Sequence, residues 1–268
     1  MSIDHTKSSE AVKRESRKQW SSDPAGSLAV GSEPLGSVGS FRKIEEHRYR
    51  EQPWMHSTFG FERYRGARVL EIGVGLGTDH LQFGRAGAVV TGIDLTPRCV
   101  DLTARRFEQE GLKTDLSVMD AEHLEFDADS FDVVYSFGVL HHVHSTEAAF
   151  SEVRRVLRPG GVFLGAIYSR HSLFYARIRA ERLLRREYRS ETLEDRLSRI
   201  EHGTSDSKPH VRLFSPGELR LALREAGFSS IGLRRRHAGF GRFTERLPPS
   251  VERTLGALGG WYLVHTAH

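Results

Sequence analysis

Cysteine is almost absent. One thiol, Cys99, stands in 268 residues, so no internal disulfide can staple the fold and no second thiol is available for a cysteine zinc site. Stability must come from packing, and a hydrophobic content of 38% is enough for one large core. Long apolar runs are also missing; none approaches the roughly 18 residues that a membrane-crossing helix requires. The opening MSIDHTKSSEAVKRESRKQW lacks the apolar centre of a secretory signal, and the expectation is a cytoplasmic protein with no membrane span. The net charge of +4 would tolerate an anionic partner. The arginines of 179–200 and 234–236, however, show no alternation with aromatic residues of the kind that stacks single strands, so no stable nucleic-acid partner is expected. A metal is not expected either. HHVH brings His141, His142 and His144 close in sequence, but adjacent residues of an extended segment point to opposite sides and no carboxylate at suitable spacing completes a ligand set.

Residues 1–40, with SSDPAGSLAVGSEPLGSVGS as their second half, carry too few large apolar side chains to offset the entropy of ordering them, and a flexible N-terminal arm is expected. Aromatic residues return in HRYREQPWMHSTFGFERY, which suggests short helices over 41–64 acting as a lid. From there strand-like and helix-like segments alternate. ARVLEIG (67–73), AVVTGIDL (88–95), KTDLSVMD (113–120), FDVVYSFG (131–138) and GVFLGAIYS (161–169) read as strands. Helical patterns cover 79–87, 97–111 and 145–158, the last stopped by Pro159-Gly160-Gly161. Such alternation means a parallel sheet covered on both faces. A basic helical stretch over 171–201 exceeds what a connection needs and is taken as part of a cap insertion, 171–210. SPGELRLALREAGF (215–228) opens with a capping box. SSIGLRRRH and WYLVHTAH are the last two strands, joined by a partly helical, proline-containing stretch over 241–260.

The stretch VLEIGVGLGTD (69–79) ends a strand in an acid and then places Gly73, Gly75 and Gly77 where a tight turn exposes backbone N–H groups to a ligand. In an open parallel sheet, ligands lie beyond the carboxyl ends of the strands where the strand order reverses, and this turn belongs there. The dinucleotide fingerprint is G-x-G-x-x-G. Here the third glycine comes one position early, which disfavours a pyrophosphate and hence a nicotinamide dehydrogenase. Asp94 ends the second strand, where a carboxylate can accept from a ribose diol. Asp120 and Glu122 follow the third, where a carboxylate can accept from an adenine amine.

Together VLEIGVGLGTD, GIDLT, MDAEHLEF, FDVVYSFGVLHHV and EVRRVLRPGG, in this order over about residues 65–168, resemble the class I S-adenosylmethionine-dependent methyltransferases, with a likeness to those of the ubiquinone/menaquinone type. The resemblance implies a Rossmann-like seven-stranded sheet of order 3-2-1-4-5-7-6 with strand 7 antiparallel, helices on both faces and S-adenosyl-L-methionine as cofactor. By the same resemblance Glu71, Gly73 and Gly75 line the methionine end, Asp94 the ribose, Leu95 an adenine face, and Asp120 with Ala121 the adenine edge. The Ser136 carbonyl would help hold the α-amino group, with Thr78 and Asp79 as further methionine contacts.

A sulfonium methyl is already activated, so the protein mainly has to align the acceptor and exclude water. Where the acceptor must lose a proton, His141 and Tyr168 are the candidate bases, with His142 and His171 nearby. Tyr49 and Trp54 are placed to fold over the sulfonium. The fourth strand reads SFGV and not the [DNS]-P-P-[YFW] of base and amide aminomethylating relatives. The expectation is methyl transfer to O, N or C of a small biosynthetic molecule. A peptide or protein side chain as acceptor, and a non-catalytic cofactor-binding regulator, stand as alternatives. The oligomeric state is left open, a dimer among the options.

Overall fold

The computed structural model describes residues 8–185, 188, 190, 192–201, 207–238 and 249–268. One seven-stranded sheet runs in the order β3-β2-β1-β4-β5-β7-β6, the order that the resemblance implies. The strands are β1 (Arg68–Ile72), β2 (Val89–Asp94), β3 (Asp115–Val118), β4 (Phe131–Phe137), β5 (Leu157–Tyr168), β6 (Ile231–Arg236) and β7 (Tyr262–Ala267). The first five pair in parallel, and β7 runs antiparallel between β5 and β6. The reversal between β1 and β4 opens a crevice at their carboxyl ends.

Alternation along β4 shows how the sheet is covered on both sides. Val133 and Tyr135 pack into one core with Phe59, Phe61 and Phe83, while Val134 packs into the other with Phe150, Val153 and Phe163. A register shift between Phe131 and Val133 turns Phe131 to the second core although both positions are odd, as a local irregularity does to a period of two. Leu157–Gly160, expected to end a helix, instead begins β5 because Leu157 pairs with Phe131 below that shift.

The helices are α1 (Ser9–Ser22), α2 (Val38–Glu51), α3 (Met55–Phe59), α4 (Thr78–Arg85), α5 (Pro97–Gln109), α6 (Thr146–Val156), α7 (Leu173–Leu184), α8 (Leu193–Glu201), α9 (Pro216–Glu225) and α10 (Pro249–Gly259). Thr96 caps α5, accepting from the Cys99 amide, with Pro97 in the first turn, and Ser215 and Glu218 close a full capping box on α9. The stretch expected over 241–260 is described from Pro249 onward; 241–248 lie outside the described residues, as do parts of 171–210. No helix among the described residues is long and apolar enough to cross a membrane.

The N-terminal segment departs from the expected flexible arm. Ser8 caps α1 by accepting from the Ala11 amide, and Val12, Ser16 and Gln19 on one helix face are buried. Two of those three residues are polar, so the apolar periodicity that marks a buried helix face is absent from the sequence.

His265, in the middle of β7, is buried against Phe163 and Phe150, and burial pushes its pKa down from 6.5 to about 4. The unfolded chain therefore takes up a proton between those values and the folded chain does not. Stability is full above pH about 6.5, declines as pH falls and levels below about 4, the loss being on the order of 3 kcal/mol. Urea unfolding across pH 7 to 4 checks this: His265→Leu is expected to reduce the pH dependence, to which buried His80 and His237 also contribute, and an unchanged slope would count against it.

Candidate functional site

The cofactor cleft begins at the turn between β1 and α4. Gly73, Gly75 and Gly77 have φ of 81°, 55° and 70°, the left-handed region that side chains disfavour. A Cβ on Gly73 would stand 2.3 Å from Val139, and one on Gly77 2.9 Å from Thr103, whereas one on Gly75 would meet nothing within 4 Å. Gly75 thus leaves a cradle that its own side chain would otherwise enter. Its N–H donates to Asp94 Oδ2 at 3.0 Å, and Asp94 Oδ1 accepts from the Thr96 amide and hydroxyl, each at 2.9 Å. Burial raises the Asp94 pKa while those hydrogen bonds oppose the rise. Oδ2 keeps acceptor capacity for a further donor.

The cleft holds a cavity of about 140 Å³. Of the residues expected to hold cofactor, Gly73, Gly75, Asp94, Leu95, Asp120 and Ala121 border it. Glu71, Thr78 and Ser136 do not; they stand directly behind it. Glu71 Oε2 lies 3.2 Å from His80 Nδ1, and burial, then the nearby Asp79 carboxylate, drive the Glu71 pKa well up. The Thr78 hydroxyl accepts from Arg106 at 2.9 Å, and the Ser136 hydroxyl donates to the Ile72 carbonyl at 3.1 Å.

Asp79 is the most heavily bonded acid in the site. Arg48 reaches it through Nε at 3.3 Å and Nη2 at 2.5 Å, Tyr49 donates at 3.0 Å and Tyr135 at 2.9 Å. Burial works against the Arg48 charge, but the Asp79 carboxylate holds that guanidinium protonated well above its ordinary value. Arg48 also lies 4.3 Å over the ring of Phe137, a residue of the cleft wall. Tyr49 and Trp54, expected over a sulfonium, do not border the cleft. Tyr49 serves Asp79, and Trp54 is buried 6.1 Å from Phe59 and from Phe137.

The two candidate bases behave differently from their neighbour. His141 is fully buried, its ring 3.8 Å from Tyr168 and 4.1 Å from His142, and neither His141 nor Tyr168 borders the cleft. His142 does. Its Nδ1 is 2.7 Å from the His210 carbonyl; a carbonyl only accepts, so Nδ1 carries the proton and Nε2 is the basic nitrogen. Glu122, a candidate for the adenine edge, instead accepts from the His144 and Ser145 amides and closes the loop before α6.

Sequence reasoning missed the opposite wall. Val12, Lys13, Ser16 and Trp20 of α1 border the cleft, Lys13 Nζ meets Asp120 Oδ2 at 2.6 Å, and the Trp20 ring is edge-on to His142 at 5.5 Å. The one available signal was the helix-capping Ser8 followed by a charged, helix-favouring run.

The methyltransferase-domain family model matches residues 70–165, which spans β1 to β5 and the whole of the glycine turn. Over residues 70–165, within a sheet of the order 3-2-1-4-5-7-6, the chain carries a methyltransferase domain of the class I S-adenosylmethionine-dependent kind. Its methyl donor is S-adenosylmethionine, and the residues present fit it: a glycine cradle, an acid at the end of β2 with acceptor capacity left, and an acid beyond β3. The methyltransferase is similar to the ubiquinone biosynthesis O-methyltransferase of Methylocella silvestris, 28% identical over 79% of this chain and 77% of that one. It is also similar to a sterol 24-C-methyltransferase of Gibberella zeae, 34% identical over 43% of this chain and 33% of that one. Among solved structures, the 1,6-didemethyltoxoflavin-N1-methyltransferase of Burkholderia thailandensis shares its fold, with a TM-score of 0.56 and 20% identity over 97% of this chain and 90% of that one.

Replacing Asp79 by Asn would leave the Arg48 guanidinium, 24% exposed, without its counter-charge. A loss of about 3 kcal/mol is expected, read as a lower denaturant midpoint at unchanged slope. Stability within 0.5 kcal/mol of wild type, the range of an ordinary surface change, would contradict the assignment.

Proposed function

We propose that the chain transfers methyl groups to a small biosynthetic molecule, with a hydroxyl as the preferred acceptor. The observation that carries this reading is the wall at the end of β4. There Phe137, Val139 and Val143 present apolar surface beside the imidazole of His142. The segment 207–214 covers that loop, with the His142 Nδ1–H donating to the His210 carbonyl and the Arg212 amide donating to the His141 carbonyl at 2.9 Å. A covered apolar wall with one base supports a compact guest whose nucleophile must lose a proton. The names of the relatives span oxygen, carbon and nitrogen acceptors, so they support the family's reach and not the atom.

Within this reading, Gly73 and Gly75 admit the amino-acid end against bare backbone, with Glu71, Thr78 and Ser136 supporting it from behind. Asp94 accepts from the ribose diol, Leu95 covers an adenine face, and Asp120 with Ala121 meets the adenine edge. When bound, the cofactor supplies a methyl on a positively charged sulfur. His142 Nε2 takes the acceptor's proton, while His141 and Tyr168, stacked behind it, hold the imidazole in place. Helices α2 and α3 form the lid of the site, and α7 and α8 with residues 207–210 form its cap. Exclusion of water by these elements raises the worth of every charge inside.

Calorimetry with S-adenosylhomocysteine tests the binding half of this scheme. Wild type is expected to bind, and Asp94→Ala to weaken binding by at least tenfold, since about 1.5–3 kcal/mol attaches to hydrogen bonds on a charged group. Transfer of labelled methyl to a panel of hydroxylated small molecules tests the chemistry. His142→Ala is expected to lower kcat by about 100-fold while S-adenosylhomocysteine affinity stays at the wild-type value. Methylation of acidic peptides with none of the small molecules would refute the acceptor class.

A further inference from the structure

The inner face of α1 is unlike an ordinary helix face. Ser16 is 4% exposed, borders the cofactor cleft, and its hydroxyl has no hydrogen-bond partner. A serine within a helix usually satisfies itself on the carbonyl one turn back, and a buried hydroxyl left unpaired costs about 1–3 kcal/mol. One turn away in the N-terminal direction, the Lys13 ammonium sits on Asp120 at 2.6 Å and within 4.0 Å of Glu122. Burial opposes the Lys13 charge, and the Asp120 carboxylate more than restores it. The Asp120 Oδ1 already accepts from the Glu122 amide at 2.9 Å, so the lysine and any purine amine share what remains of one carboxylate.

We propose that α1 is the closing wall of the adenosyl site: the Ser16 hydroxyl is a hydrogen-bonding group for the adenine, and the Lys13–Asp120 pair latches the helix over the bound cofactor. This rests on the cofactor reading given above and extends it to a segment outside the matched family region, 70–165. Cofactor exchange then requires α1 to lift, which breaks the latch. Two further residues of the helix tie the same event to the acceptor side. Gln19 Oε1 accepts from the Ser207 hydroxyl and Glu15 accepts from the Lys208 amide at 3.1 Å. The chain that follows holds His142 through the His210 carbonyl and His141 through the Arg212 amide. A docked α1 therefore braces the loop that faces the acceptor, and the cofactor has to be seated before that loop is complete.

Two full-length variants test the proposal, each checked first for an unchanged thermal midpoint without ligand. Ser16→Ala is expected to bind S-adenosylhomocysteine about fivefold more weakly, the range of one neutral hydrogen bond. It is expected to bind S-ribosylhomocysteine, which lacks the adenine, as wild type does. Lys13→Glu sets a third carboxylate beside Asp120 and Glu122. It is expected to bind S-adenosylhomocysteine at least tenfold more weakly, with faster release, and to lose the slowing of amide exchange over residues 9–22 that the ligand confers on wild type. If wild type binds S-adenosylhomocysteine while both variants match it and exchange in 9–22 ignores the ligand, the lid is wrong and the cofactor reading stands. If wild type itself fails to bind, the cofactor reading falls and the lid falls with it.

Discussion

Three glycines within five residues, 73 to 77, are the constraint on which the rest of this structure depends. Gly73 lets the Val139 side chain pack against the end of β1, Gly77 lets Thr103 of α5 pack against the start of α4, and Gly75 leaves the cleft open between them. The turn is then held from outside. Asp94 takes the Gly75 amide, the Thr103 hydroxyl donates to the Gly75 carbonyl, and Arg106, 2% exposed, donates to the Leu76 carbonyl and the Thr78 hydroxyl. Strand β2, helix α5 and the loop after β4 thus converge on a single turn. The feature that admits a ligand is the feature that lets the core close around it.

Acidic groups crowd this point: Glu71 lies within electrostatic reach of both Asp79 and Asp94. Burial makes each charge costly, and the structure meets the cost in separate ways. Asp79 receives Arg48 and two tyrosine hydroxyls, Asp94 receives backbone and threonine donors, and Glu71 is pushed toward its neutral form beside His80. Arg48 comes from α2, outside the nucleotide-binding core, so the segment before β1 is bound to the site by charge as well as by packing.

Where the sequence was legible, the reason is periodicity and turn chemistry. Apolar runs of strand length, helix caps such as Thr96 and Ser215, and the glycine turn each leave a local mark. Where it was not, the information is non-local. Helix α1 hides a buried face made of Val12, Ser16 and Gln19, two of them polar, so no apolar period marks it in the sequence. The HHV segment does not reveal which imidazole faces the acceptor; a bond from His142 to a carbonyl 68 residues away turns one ring to the cleft and leaves the other stacked on Tyr168. Glu122 carries a plausible acid at a plausible place, but two amides of the next loop claim it.

The sequence by itself determined the strand and helix alternation, the sheet order that its motifs imply, the glycine turn and the acid at the end of β2. Each of these is a matter of backbone conformation or of residues a few positions apart, which neighbouring side chains dictate. Only the tertiary structure decided which side chains border the cleft, how the buried acids are compensated, and that the N-terminal helix forms the wall facing Asp120. Those depend on which groups meet across tens to hundreds of residues, as Lys13 meets Asp120 and Gln19 meets Ser207, and the chain carries no local record of such a meeting.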